Sequence, residues 1–168
     1  MKKNLTGIIG IAIIILIAGV VVAISKSGDP ENKKANLIDG FPGNLTTEES
    51  AFDFGAVSMA AGDVSHLFKV KNTSAAPVKI AKIYTSCMCT TATYVKGDKK
   101  MGPFGMPGHG IQPKINQILE PGAEAQIEVV FDPAAHGPAG VGRIQRSVII
   151  ENDAGNPGEL PFSAIGPP

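Results

Sequence analysis

Residues 123–133 read AEAQIEVVFDP. Ile127, Val129 and Phe131 fall on alternate positions, against Gln126, Glu128 and Val130. A period of two sends successive side chains to opposite faces of an extended chain, so this stretch reads as a strand with one face in a core. Asp132-Pro133 closes it, because proline lacks the N–H a ladder needs and presets a turn.

The same texture runs outward on both sides. Residues 51–57, AFDFGAV, put Phe52 and Phe54 on one face. Residues 63–77, DVSHLFKVKNTSAAP, put His66, Phe68 and Val70 in phase with lysines between them, then break at Asn72-Thr73-Ser74. Residues 77–94, PVKIAKIYTSCMCTTATY, start with Val78 and Ile80 opposite Lys79 and read as one extended run. Residues 142–155 alternate Ile144, Arg146, Val148 and Ile150, and GELPFSAIG at 158–166 is a last short strand. No sustained helical stripe appears after Ile24. The 20 glycines and 13 prolines make up about a fifth of the 168 residues, well above average usage of about 12%. Six or seven short strands, tight turns and no crossover helices imply an all-β fold, an immunoglobulin-like antiparallel β-sandwich over residues 48–168. The chain has no tryptophan, so the core must rest on Phe, Ile and Val.

The N-terminus has a different character. Lys2 and Lys3 precede Gly7–Ile24, an uncharged run rich in Ile, Val, Leu and Ala. Eighteen helical residues span roughly 27 Å, close to the hydrocarbon thickness of a bilayer. Residues 1–25 therefore read as an N-terminal single transmembrane helix, with residues 7–24 in the membrane and the lysines on the cytoplasmic side. A cleaved signal peptide is the alternative, with Ala23-Ile24-Ser25 as the cut. Either reading exports the domain. The expected location is the bacterial inner membrane, single-pass, with the C-terminal domain in the periplasm or cell exterior. Residues 26–47, polar and broken by Gly and Pro, read as a flexible linker.

Five motifs in order, FDFGAV (52–57), FKVKNTSAAPVKI (68–80), SCMCT (86–90), EPGAEAQIEVVFDP (120–133) and IIEND (149–153), resemble the bacterial family called domain of unknown function 1573. That family is similar to Hydin-like and major-sperm-protein-like immunoglobulin modules. The resemblance covers about Ala51 to Gly166. It implies a β-sandwich outside the cytoplasm, often membrane-attached, and no known reaction. Two departures stand out. Met88 sits where the family pattern leads one to expect glycine, and Thr91 to Glu120 is longer than the family needs.

Cys87 and Cys89 are the only cysteines. On a strand, residues i and i+2 share a face with Cα atoms about 6.6 Å apart, the upper edge of disulfide geometry. A disulfide there would be strained. Thioredoxin-like chemistry uses Cys-x-x-Cys at a helix start, which this spacing lacks. Two thiols on one face suit a single soft ion, Cu(I) or Zn(II). Residues 99–110, KKMGPFGMPGHG, add Met101, Met106 and His109 on what reads as a Gly/Pro-rich loop able to fold over the thiols. The candidate metal ligands are thus Cys87, Cys89, Met101, Met106 and His109, with copper the ion such a set would take. His136 is a weaker loop candidate. The competing reading makes both cysteines small buried apolar residues. His66 follows the strand period and reads as a packed or rim histidine.

Other chemistry is thin. Asp53, Asp63, Asp132, Asp153 and Glu151 sit near strand ends, where carboxylates cap turns. No nucleophile elbow, phosphate loop or His-rich zinc motif appears, so no catalytic site is expected. Zero net charge and no basic run argue against a nucleic-acid partner. The expected function is a membrane-anchored, non-catalytic binding or scaffold module with a protein partner. A soft-metal protein is the first alternative and a thiol redox protein the second.

Overall fold

The structure, a computed structural model, describes residues 44–137 and 141–166. Ten strands are found among them: β1 Leu45–Thr47, β2 Phe52–Ala56, β3 Val64–Asn72, β4 Val78–Thr85, β5 Thr90–Lys96, β6 Lys99–Phe104, β7 Gln117–Leu119, β8 Glu124–Phe131, β9 Gly142–Asn152 and β10 Gly158–Gly166. They form two five-stranded sheets, ordered β1-β3-β8-β5-β6 and β2-β10-β9-β4-β7. The fold is an all-β two-sheet sandwich, as the alternation predicts.

The apolar phase of each strand faces the space between the sheets. Phe68 and Val70 of β3 meet Ala125, Ile127, Val129 and Phe131 of β8, all buried. Val148 and Ile150 of β9 and Leu160, Phe162 and Ala164 of β10 close the core from the other side. Phe54, Phe131 and Phe162 form an aromatic cluster with centroids 5.6 to 6.3 Å apart. Each buried phenyl contributes about 1.5–3 kcal/mol by area. In β4 a register shift between Ile80 and Lys82 lets Ile83 replace Lys82 on the inner face, which leaves Lys82 free to pair with Glu151.

Four sequence expectations need correction. First, the sandwich is not purely antiparallel: β2 pairs in parallel with β10. This follows from placing β2 at the edge of one sheet while the next strand, β3, joins the other. Second, residues 77–94 are not one extended run. β4 lies in one sheet and β5 in the other, and Ser86–Cys89 carry the chain across. Third, the stretch 99–110 begins as a strand, β6, on the edge beside β5. Gly102 makes this possible: its φ is +135° and a Cβ there would lie 2.8 Å from the Ala92 carbonyl. Fourth, Leu45–Thr47, at the end of the stretch read as linker, pairs with β3.

The membrane helix expected over residues 7–24 lies outside the described residues. Among the described residues no helix is long and apolar enough to cross a membrane.

His66 behaves as its position in β3 suggests. It stacks on Phe52 at 3.5 Å and 7°, and its Nε2 lies 2.8 Å from Glu49 Oε2.

Candidate functional site

Two of the chain's crossings between the sheets meet at one end of the sandwich. Ser86–Cys89 link β4 to β5, and residues 132–141 link β8 to β9. The two connections are tied together, because the Asp132 N–H donates to the Cys89 carbonyl at 2.9 Å. Every residue of the cluster described below belongs to these connections or to the start of β9.

The first crossing is a tight turn. Thr90 N–H donates to the Cys87 carbonyl at 3.2 Å, closing a four-residue turn with Met88 and Cys89 at its centre. Its feet are held from several sides. Thr85 N–H donates to the Gly105 carbonyl at 3.2 Å, and Ser86 N–H to the Ser147 carbonyl at 3.0 Å. Ser147 N–H returns a bond to Ser86 Oγ at 2.9 Å. The buried Thr85 hydroxyl lies 2.9 Å from the Cys87 carbonyl oxygen and 3.0 Å from that of Thr90. Turn geometry points the Met88 side chain to solvent, where it is half exposed, while Cys87 and Cys89 are buried.

This corrects the local picture drawn from the sequence. The cysteines do not share the face of a strand; they share the inside of a turn. The Cys89 N–H donates to Cys87 Sγ at 3.4 Å, a contact a strand would not allow.

The second crossing brings the imidazole. Asp132 Oδ1 accepts from Ala134 N–H at 2.7 Å, and Gly137 N–H donates to the Ala134 carbonyl at 2.9 Å. This folded loop carries the solvent-exposed His136 over the turn, with Nε2 at 3.2 Å from Cys87 Sγ. Cys87 Sγ, Cys89 Sγ and one His136 ring nitrogen all lie within 4.8 Å of one another. Such a separation lets one ion reach three ligands with small side-chain movements.

Arg146 of β9 completes the surroundings. With Cys89, Phe131, Asp132, Pro133, His136, Val141, Arg143 and Ile144 it lines a cleft of about 200 Å³. Its Nη1 donates to the Gln145 carbonyl at 2.7 Å, and its Nε is buried with no protein partner. The guanidinium is near enough to both thiols to favour their anions.

The two thiols are electrostatically unlike. Burial pushes the Cys87 thiol up, but hydrogen bonds from the Cys89 thiol, His136, the Cys89 amide and Arg146 together outweigh it and bring Cys87 from 9.0 down to about 6. Burial, and then its role as the donor toward Cys87, push Cys89 above 9.0. Without a metal the pair at neutral pH is therefore one thiolate held by one thiol.

The remaining candidates lie elsewhere. Met101 sits in β6 opposite Tyr94 of β5 and packs against the core. Met106 and His109 belong to the turn after β6, where His109 N–H donates to the Met106 carbonyl at 3.1 Å. None of these three lines the cleft beside Cys89. His136, the weaker loop candidate, is the histidine that meets the cysteines. Arg146 was absent from the candidate residues. Its signal was present in β9, where a charged residue occupies the phase of Ile144, Val148 and Ile150.

Fold and site together describe an all-β two-sheet sandwich with a buried dithiol and an exposed imidazole brought together at one end. Residues 45–104, from β1 through the Cys-x-Cys turn to β6, match the family described as "Protein of unknown function (DUF1573)", the family whose motifs the sequence resembles. His136 and Arg146 lie beyond that match. No curated protein matches the chain. A protein of unknown function from Porphyromonas gingivalis W83 is similar in structure, with TM-score 0.54 and 14% identity over 79% of this chain and 51% of that one. This chain thus spans about half the length of that protein. The VesB protease of Vibrio cholerae gives TM-score 0.48 at 15% identity, covering 73% of this chain and 32% of that one. The ASH / PapD-like domain 7 of human CEP192 gives TM-score 0.41 at 12% identity, covering 83% and 90%. At 14% identity the likeness to the Porphyromonas protein is one of fold.

Proposed function

We propose that this chain is an exported, membrane-tethered, non-catalytic binding protein whose immunoglobulin-like sandwich carries a soft-metal centre made of Cys87, Cys89 and His136. The observation that carries this reading is the convergence of the two sulfurs and one imidazole nitrogen within 4.8 Å. Sulfur and imidazole donors suit Cu(I) and Zn(II). The turn's hydrogen bonds hold the backbone of both cysteines before any ion arrives, so little ordering is left to do on binding. A thiol already near 6 gives up its proton to a metal at neutral pH at small cost. The cleft leaves one side of the centre open, which suits an ion that is taken up and passed to a protein partner. The apolar run Gly7–Ile24 behind Lys2 and Lys3 supports the tether and the export.

The test is a titration of the full chain, purified anaerobically in mild detergent, with Cu(I) and with Zn(II) against a competing chelator. One equivalent bound, and at least a hundredfold weaker binding in Cys87→Ser and Cys89→Ser, is the expected result. Equal affinity in a folded double-Ser variant ends the metal reading.

A second reading, reversible thiol–disulfide chemistry, is favoured by the contrast between an ionised Cys87 and a protonated Cys89 behind it. A pair that stays reduced under mild oxidant in the metal-free chain removes it.

A further inference from the structure

We propose that Arg146 makes the Cys87–Cys89–His136 centre selective for a monovalent soft cation, Cu(I) or its analogue Ag(I), over divalent Zn(II). This rests on the metal reading above and names the ion that reading leaves open.

Charge counting gives the reason. Two thiolates and Cu(I) carry one net negative charge, which the Arg146 guanidinium beside the sulfurs neutralises. Two thiolates and Zn(II) carry none, so Arg146 is left as an uncompensated positive charge next to a cation in a partly closed cleft. Arginine stays protonated throughout, so nothing here depends on its titration. The difference between the two ions is one unit of charge whatever the protonation of the empty dithiol, because both ions start from the same state.

The other charges lining the cleft do not reverse this balance. Asp132 and Arg143 have opposite signs, and the Asp132 carboxylate is engaged by the Ala134 N–H at 2.7 Å. Arg146 is therefore the surplus charge. Its placement is also costly without a purpose. It occupies the inward phase of β9, and its buried Nε has no protein partner. A centre carrying a net negative charge is the partner that an unpaired buried guanidinium N–H calls for.

Ligand number points the same way. Protein zinc sites are nearly always four-coordinate. Among the described residues only three His, Cys, Asp or Glu ligand atoms come together here. Cu(I) with thiolate ligands is satisfied by two or three.

The experiment measures the ratio of Cu(I) to Zn(II) affinity in the full chain, by competition titration with chelators of each ion, with Ag(I) as a third probe. In wild type, Cu(I) and Ag(I) bind and Zn(II) binds far more weakly. Arg146→Gln lowers the Cu(I)/Zn(II) ratio about tenfold or more, and Arg146→Lys keeps most of it. Because Arg146 is partly buried, a second variant leaves it in place. Val141→Glu adds a negative charge at a half-exposed cleft position and shifts the ratio toward Zn(II) several-fold. An unchanged ratio in Val141→Glu, or in a folded Arg146→Gln, overturns the proposal while the metal reading stands. No metal bound by wild type overturns the metal reading itself.

Discussion

The two cysteines should titrate far apart, and the gap can be worked from the turn. Cys87 is expected near 6, because hydrogen bonds from Cys89, His136, the Cys89 amide and Arg146 favour its anion more than burial disfavours it. At pH 7 that gives a thiolate-to-thiol ratio of about 10 to 1, against about 1 to 100 for a thiol at 9.0. The reduced, metal-free chain should then carry about 0.9 thiolate at pH 7, where two ordinary cysteines would carry about 0.02. The assay is absorbance at 240 nm from pH 4 to 11, taken as the difference from a cysteine-alkylated control so that Tyr84 and Tyr94 cancel. The pair should lose its protons in two steps, the first near pH 6 and the second above 9. Removing a donor to the anion must raise the lower step, so His136→Ala and Arg146→Gln should each move it upward. A first step above pH 8, or one that ignores His136→Ala, would refute the hydrogen-bonded turn as the origin of the shift.

Three further expectations concern the scaffold. Asn72 is fully buried; its Nδ2 donates to the Ala76 and Leu119 carbonyls at 2.8 Å each, while Oδ1 accepts from Ser74 N–H and Oγ. Asn72→Ala should cost about 4 kcal/mol, at about 1 kcal/mol net for each of these four bonds, read as a drop of at least about 1 M in the urea midpoint; a shift too small to measure would contradict it. Gly102→Ala should destabilise by about 1–3 kcal/mol, because the new methyl meets the Ala92 carbonyl in a backbone region closed to other residues, and thermal unfolding will show it. Deleting residues 7–24 should move the protein from the membrane to the soluble fraction of a fractionated cell, and continued sedimentation with membranes would remove the proposed tether.

Strand periodicity carried most of the fold. Phe68 and Val70, Ile127 to Phe131, and Val148 and Ile150 announced their faces because each strand has one wet side and one dry side. Three features hid from that signal. The Ser86–Cys89 crossing contains no Gly, Pro, Asn or Asp and only Ser86 among turn-favouring residues, too weak a mark to separate β4 from β5, which read as one run. Gly102 and Pro103 made the edge strand β6 look like a loop. The parallel pairing of β2 with β10 joins residues about a hundred positions apart, which local pattern cannot report. The site was legible in part. Cys87 and Cys89 stood out by type and spacing. His136 is 47 residues beyond Cys89, and only the folded Asp132–Gly137 loop puts it there. Met101, Met106 and His109 read as ligands because their soft and imidazole donors lie on a Gly/Pro-rich stretch able to fold over the thiols, yet the β5–β6 hairpin and the turn after it put them outside the cleft.

The centre is tested most directly by copper K-edge X-ray absorption on the full chain loaded with one equivalent of Cu(I), beside His136→Ala. Two sulfur neighbours and one nitrogen, with the nitrogen lost in His136→Ala, are predicted. A copper environment built from nitrogen and oxygen alone, or one the same in both proteins, would contradict a Cys87–Cys89–His136 site.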